Sequence, residues 1–160
     1  MSTGLLILVL FHTAISLIAI VAGIVVVKQL LAAEVDRTWT KWFLSMAIAT
    51  SVTGYFFPFI GVTPAQIVGA IALVILALVL VAIRNGRAGP WRWIYAAGSV
   101  ASLYLLCFVL VVQSFKHVPF LTPLAPTGSE PPFQITQLVV LVLFIGLGIQ
   151  SARKFRPALA

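Results

Sequence analysis

The side chains best suited to chemistry in this chain are two histidines, His12 and His117. Around them stand neutral polar groups: Ser16, Thr53, Tyr55, Gln66, Gln113, Gln134 and Gln137. His12 interrupts the apolar run LLILVLFHTAISLIAIVAG at residues 5–23. An imidazole among apolar residues is costly unless it meets a partner, so it signals a bond between helices or a binding site. Neutral imidazole can accept or donate a hydrogen bond, ligate a metal or haem iron, and carry a proton. From His12, Ser16, Ala19 and Gly23 follow at helical spacing, a small and weakly polar face suited to packing against other helices. Gln113 and His117 lie one helical turn apart, and Ser102 continues that stripe.

The missing groups exclude as much as the present ones suggest. Glu34, Asp36 and Glu130 are the three carboxylates, and all stand outside the apolar runs. A proton-coupled carrier generally needs a buried carboxylate to exchange a proton for a cation. No lysine falls within a run, so a retinal Schiff base has no attachment point. No metal-ligand cluster, glycine-rich phosphate loop or nucleophile elbow is present. The single cysteine, Cys107, cannot form an internal disulfide or a dithiol relay, which removes membrane thiol oxidases working through their own cysteine pair.

The elements that would hold these groups are membrane helices. The chain has 160 residues, 62% of them hydrophobic and 8% charged, with a mean hydropathy of +1.17. Soluble domains carry roughly 25% charged residues. Apolar stretches of about 20 residues, the length that crosses a bilayer, recur. The fold class expected is all-α: one transmembrane bundle of five spans, near residues 4–27, 42–60, 65–83, 93–115 and 133–151. Thr63-Pro64-Ala65-Gln66 has the form of a capping box with proline at the first helical position. Pro131-Pro132 pre-set the last helix. Residues 116–132, KHVPFLTPLAPTGSEPP, make a proline-rich loop able to cover one mouth of the bundle. Ala96-Ala97-Gly98-Ser99 with Ser102, and Gly146 with Gly148, have the composition of close-packing seams.

Basic residues alternate between the connections. The first holds Lys28, Arg37 and Lys41, the third Arg84, Arg87 and Arg92, and the C-terminal tail Arg153, Lys154 and Arg156; the second holds none and the fourth only Lys116. The Lys/Arg-rich side is cytoplasmic by the positive-inside rule, so the N-terminus is expected outside and the C-terminus inside. Trp39, Trp42, Trp91 and Trp93 fall at the basic boundary, the headgroup level that indoles prefer. The net charge of +7 is thereby explained by anchoring, not by nucleic acid. MSTG carries no basic side chain and the first run is long for a signal core, so that run is expected to remain as a helix.

Five helices threaded this way would converge the polar groups on an outward-facing pocket roofed by the proline-rich loop, with His12 bonded to Gln113, Gln134 or Gln137. The same groups could serve as bonds between helices. Two cofactors are chemically conceivable. A bis-imidazole haem b needs both His12 and His117, the minimum set. Counting along the helices opposes it: His117 lies about 36 Å from Trp93 and His12 about 24 Å from Lys28. A quinone needs one donor, such as His12, Tyr55 or a glutamine, among phenylalanines, and Phe11, Phe56, Phe57, Phe59, Phe115, Phe120 and Phe133 are all expected near the outer side.

The segments FHTAISLIAIVAG, TSVTGYFFPF and SEPPFQITQ make the chain resemble small multi-span bacterial inner-membrane proteins of unassigned function. That resemblance implies an inner-membrane location and no activity. The reading is a non-enzymatic membrane protein, surrounded by lipid, that binds a small hydrophobic ligand or serves as accessory subunit to a membrane-protein partner or a homo-oligomer. An electron-transfer subunit and a carrier or channel for a neutral or lipidic solute are the alternatives.

Overall fold

A computed structural model describes residues 2–58 and 61–156. Five α-helices run in chain order: α1 Thr3–Leu31, α2 Arg37–Thr53, α3 Pro64–Arg84, α4 Trp91–His117 and α5 Pro131–Lys154. Short 3-10 turns follow α2 at Gly54–Phe56 and precede α5 at Thr122–Leu124, and no strand occurs among the described residues. Four of the helices, α1, α3, α4 and α5, are long and apolar enough to cross a membrane. The fifth differs from expectation. With 17 residues α2 measures about 26 Å, less than a hydrocarbon core of about 30 Å.

The first three helices begin where a side chain accepts from their first amides, while α4 and α5 begin after Pro90 and Glu130 without a side-chain cap. Ser2 accepts from the Leu5 amide at 3.3 Å. Asp36 accepts from the Thr38 and Trp39 amides at 2.6 and 3.2 Å. That cap starts α2 at Arg37, ahead of the position near residue 42 that hydropathy suggests. The capping box opens α3 as expected: Thr63 accepts from the Gln66 amide at 3.3 Å, and Gln66 accepts from the Thr63 amide at 2.9 Å. The far end of the second expected span, residues 59–60, lies outside the described residues.

Two helices end in Schellman turns, in which a left-handed residue lets two amides fold back onto the last carbonyls. At the end of α3, Gly86 (φ +66°) and Arg87 donate to Ile83 and Ala82 at 3.0 and 2.9 Å. At the end of α1 the left-handed position is Ala33 (φ +60°), with Ala33 donating to Leu30 at 3.2 Å and Glu34 to Gln29 at 2.9 Å. A β-carbon is unfavourable there by about 1–2 kcal/mol.

Successive helices are antiparallel, as the pairings of His12 with Thr53, Tyr55 with Gln66 and Gln137 with Phe108 show. They form a ring in which each helix packs on the next, closed by α1 against α5 and braced by α1 against α4. This threading places nine of the ten Lys and Arg residues, all but Lys116, at one end. The core lies toward that basic end: Ala19, Ala22 and Val26 of α1, Phe43 of α2, Val79 of α3, Tyr95 and Leu103 of α4.

Gly23 stands at the junction of three helices. A β-carbon there would fall 2.7 Å from Leu103 Cδ1 and 2.8 Å from Phe43 Cε2, and both of those side chains are buried. Gly98 makes the corresponding approach of α4 to α3, its missing β-carbon 2.6 Å from Val79 Cγ2. The seam expected on α5 is corrected. Gly146 has nothing within 4 Å, and Gly148 is at an ordinary 3.7 Å from Val100 of α4.

Gly23→Ala should lower stability by about 1–3 kcal/mol through overpacking. Ala33→Gly should raise it by about 0.5–1 kcal/mol, the left-handed strain relieved less the added freedom of the unfolded glycine. Unfolding of both variants in detergent, side by side, measures the opposite signs.

Candidate functional site

His12 projects from α1 toward α2. Its Nδ1 lies 2.8 Å from Thr53 Oγ1. The Thr53 hydroxyl in turn donates to the Ala49 carbonyl of its own helix at 2.7 Å, with the Thr50 carbonyl at 3.2 Å. One turn deeper, Ser16 donates to the His12 carbonyl at 2.6 Å and lies 3.4 Å from Thr50 Oγ1. The Phe57 ring meets the imidazole edge-on, centroids 5.2 Å apart and planes at 89°. Gly54 stands beside the imidazole Cε1, where even an added β-carbon would remain 3.7 Å away. His12 is half-buried, held to α2 through Nδ1.

This hydrogen-bond chain assigns the tautomer. Thr53 has one hydroxyl proton. If that proton pointed to His12, Thr53 Oγ1 and the Ala49 carbonyl would be two oxygens 2.7 Å apart with no hydrogen between them. Threonines in helices ordinarily back-bond to the carbonyl four residues earlier. The proton therefore lies toward Ala49, and the imidazole donates Nδ1–H to Thr53. Nε2 makes no hydrogen bond within the described residues, and in the neutral ring with Nδ1 protonated it is the acceptor nitrogen.

Of the residues expected to converge, His12, Ser16 and Thr53 come together, joined by Thr50 and Phe57. The others serve elsewhere. Tyr55 donates to the Gln66 carbonyl at 2.7 Å and pins the α2–α3 turn, while the Gln66 side chain belongs to its capping box. Gln137 donates to the Phe108 carbonyl at 3.1 Å and ties α5 to α4. Gln134 turns back to the Ser129 carbonyl at 2.8 Å. Gln113 and His117 are exposed on α4. The glutamines expected as partners of His12 are thus replaced by Thr53. The cause is topological: a connection of residues 32–36 lays α2 directly along α1, whereas α5 packs chiefly on α4.

The depth objection to a shared haem also changes. Gly23 and Leu103 stand at one level, and from them His12 and His117 are about 16 and 21 Å along their helices, a difference of about one turn. The longer reach counted from Trp93 arises because α4 starts at Trp91, deep in the basic end. His117 is exposed on α4, while His12 is turned to Thr53 of α2. No group of three or more metal-ligating side chains occurs among the described residues.

The proline-rich loop is ordered by Glu130. Its carboxylate accepts from the Thr127 amide and hydroxyl at 3.0 and 2.8 Å and from the Ser129 amide at 3.0 Å. Partial desolvation raises its pKa, but these bonds together hold it below the ordinary carboxylate value. The carboxylate form is the one bound, so the turn is complete above the ordinary pKa and loosens as pH falls through the depressed one.

A second cluster, absent from the sequence-based expectations, locks the basic end. Tyr95, fully buried, bonds Thr40 at 3.2 Å between hydroxyl oxygens and packs on Phe155 at 5.3 Å between centroids. The Arg87 guanidinium lies 4.6 Å over the Tyr95 ring. A tyrosine four residues inside a helix that begins at the basic boundary was the available signal, since a buried phenol requires a partner for its hydroxyl.

No protein family, curated protein or solved structure matches this chain.

A double-mutant cycle of His12→Ala and Thr53→Ala should return a coupling of about 0.6 kcal/mol, with about 1.7 as an upper bound for polar pairs between membrane helices. The same cycle between His12 and Gln137 should return none. Unfolding in bicelles would give both.

Proposed function

We propose that this chain is a five-span bacterial inner-membrane protein, N-terminus outside and C-terminus cytoplasmic, that binds a small amphiphile at His12 and catalyses no reaction. The observation that carries the reading is the half-buried imidazole with Nδ1 anchored to Thr53 and Nε2 unengaged. Imidazoles that serve ligands are commonly oriented in this way through their second nitrogen. Thr50, Thr53 and Ser16 supply polarity beneath it, and Phe57 an apolar wall.

The fifth span rests on α2 together with its 3-10 turn. Three further residues at about 2 Å each bring the pair to about 31 Å, the thickness of the hydrocarbon core. Contacts of α2 with α1 from Thr53 to Phe43 set it alongside the apolar middle of α1. The orientation rests on the segregation of basic residues and tryptophans at one end. His12 then sits in the outer leaflet, where an amphiphile dissolved in the membrane can reach it.

Reporter fusions near Gly128 and after the C-terminal residue should read external and cytoplasmic, respectively; two cytoplasmic signals would defeat the topology. Extracts of the detergent-purified protein should contain an amphiphile that mass spectrometry finds depleted roughly twofold to tenfold in His12→Leu, the range for one lost hydrogen bond. An optical spectrum recorded before and after dithionite should be clear above the aromatic bands. A Soret band lost in His12→Ala would replace this reading with a haem protein.

A further inference from the structure

We propose that the His12 site selects a hydrogen-bond donor: a lipophilic alcohol or phenol, such as a hydroquinone, in preference to the corresponding carbonyl compound. This rests on the reading of His12 as a binding site and adds the chemical class of its ligand.

The argument is one of proton counting. Thr53 has a single hydroxyl proton, engaged with the Ala49 carbonyl at 2.7 Å. Its oxygen therefore accepts from His12 Nδ1–H at 2.8 Å. Neutral imidazole has one N–H, so Nε2 can only accept. In an apolar surrounding the neutral form is the favoured one, since a charged imidazolium there lacks a carboxylate partner: Glu34 and Asp36 lie at the opposite end, and Glu130 is bound within its own loop. Of the other two hydroxyls beneath the ring, Ser16 donates to the His12 carbonyl at 2.6 Å, and Thr50 is buried on α2 with its oxygen 3.4 Å from Ser16 Oγ. A ligand carbonyl brought to Nε2 would set lone pair against lone pair. A ligand hydroxyl would complete the chain from ligand to Nε2, through Nδ1–H to Thr53 and on to Ala49. The hydrogen bonds that hold His12 in place thus decide which partner it can accept.

The test uses full-length protein in nanodiscs, with His117→Gln leaving His12 as the one imidazole and with nitrogen-15 in the ring. Duroquinol and duroquinone are the probes. Ring nitrogen NMR of the free protein should show Nδ1 protonated and Nε2 bare. Duroquinol should move the Nε2 resonance and bind roughly tenfold more tightly than duroquinone. Thr53→Val, which keeps the shape and removes the acceptor, should bring that ratio toward one. A bare Nδ1 in the free protein overturns the inference. So does equal or better binding of duroquinone, although in that case the site itself stands. If neither probe disturbs the His12 resonances, both the inference and the site beneath it fall.

Discussion

The close approach of three helices at Gly23 is the contact on which the rest of the bundle depends. Helices normally stand 8–10 Å apart because their side chains intervene. At Gly23 there is no side chain, so Phe43 of α2 and Leu103 of α4 both enter the space a β-carbon would take. That single position lets α1 serve α2 and α4 together, and it sets the depth at which each crosses the other. In a bilayer, where apolar side chains gain nothing by leaving lipid for protein, such van der Waals fit is what draws helices together. Gly98 against Val79 extends the same device to α3.

Because this fit lies toward the basic end, the two ends of the molecule differ. Below Gly23 the helices are closely packed, and Tyr95 gathers Thr40, Arg87 and Phe155 into a lock that joins α2, α4 and the segment after α5. Above it few residues belong to the buried core, and polar bonds join the helices: Ser16 and His12 to α2, Tyr55 to α3, Gln137 to α4. The polar bonds at that end also orient His12, through Nδ1 to Thr53.

The charged groups follow the same division. Asp36 caps α2, and Glu130 organises the loop before α5, so two of the three carboxylates serve helix ends and turns. The cations collect at the packed end with the tryptophans, where Arg92 stacks over Trp93 at 4.6 Å. Charge in this protein thus acts on placement, while the apolar interior is left to neutral hydrogen bonds.

Much of this was legible in the sequence. Apolar runs of membrane length, the Thr63–Gln66 capping box, the alternation of basic residues and the inward face His12–Ser16–Ala19–Gly23 all depend on local chemistry: hydropathy, helical periodicity and the orphan amides at a helix start. What tertiary structure alone decided was partnership. Gln66, Gln134 and Gln137 are engaged by their own helix start, their own loop and α4, Gln113 is exposed, and Thr53 takes the imidazole. The start and length of α2 likewise depended on the Asp36 cap, not on hydropathy. Sequence records which groups need a partner; which one each receives depends on helix neighbours, and those were set by a short connection, a missing β-carbon and the lengths of the helices between them.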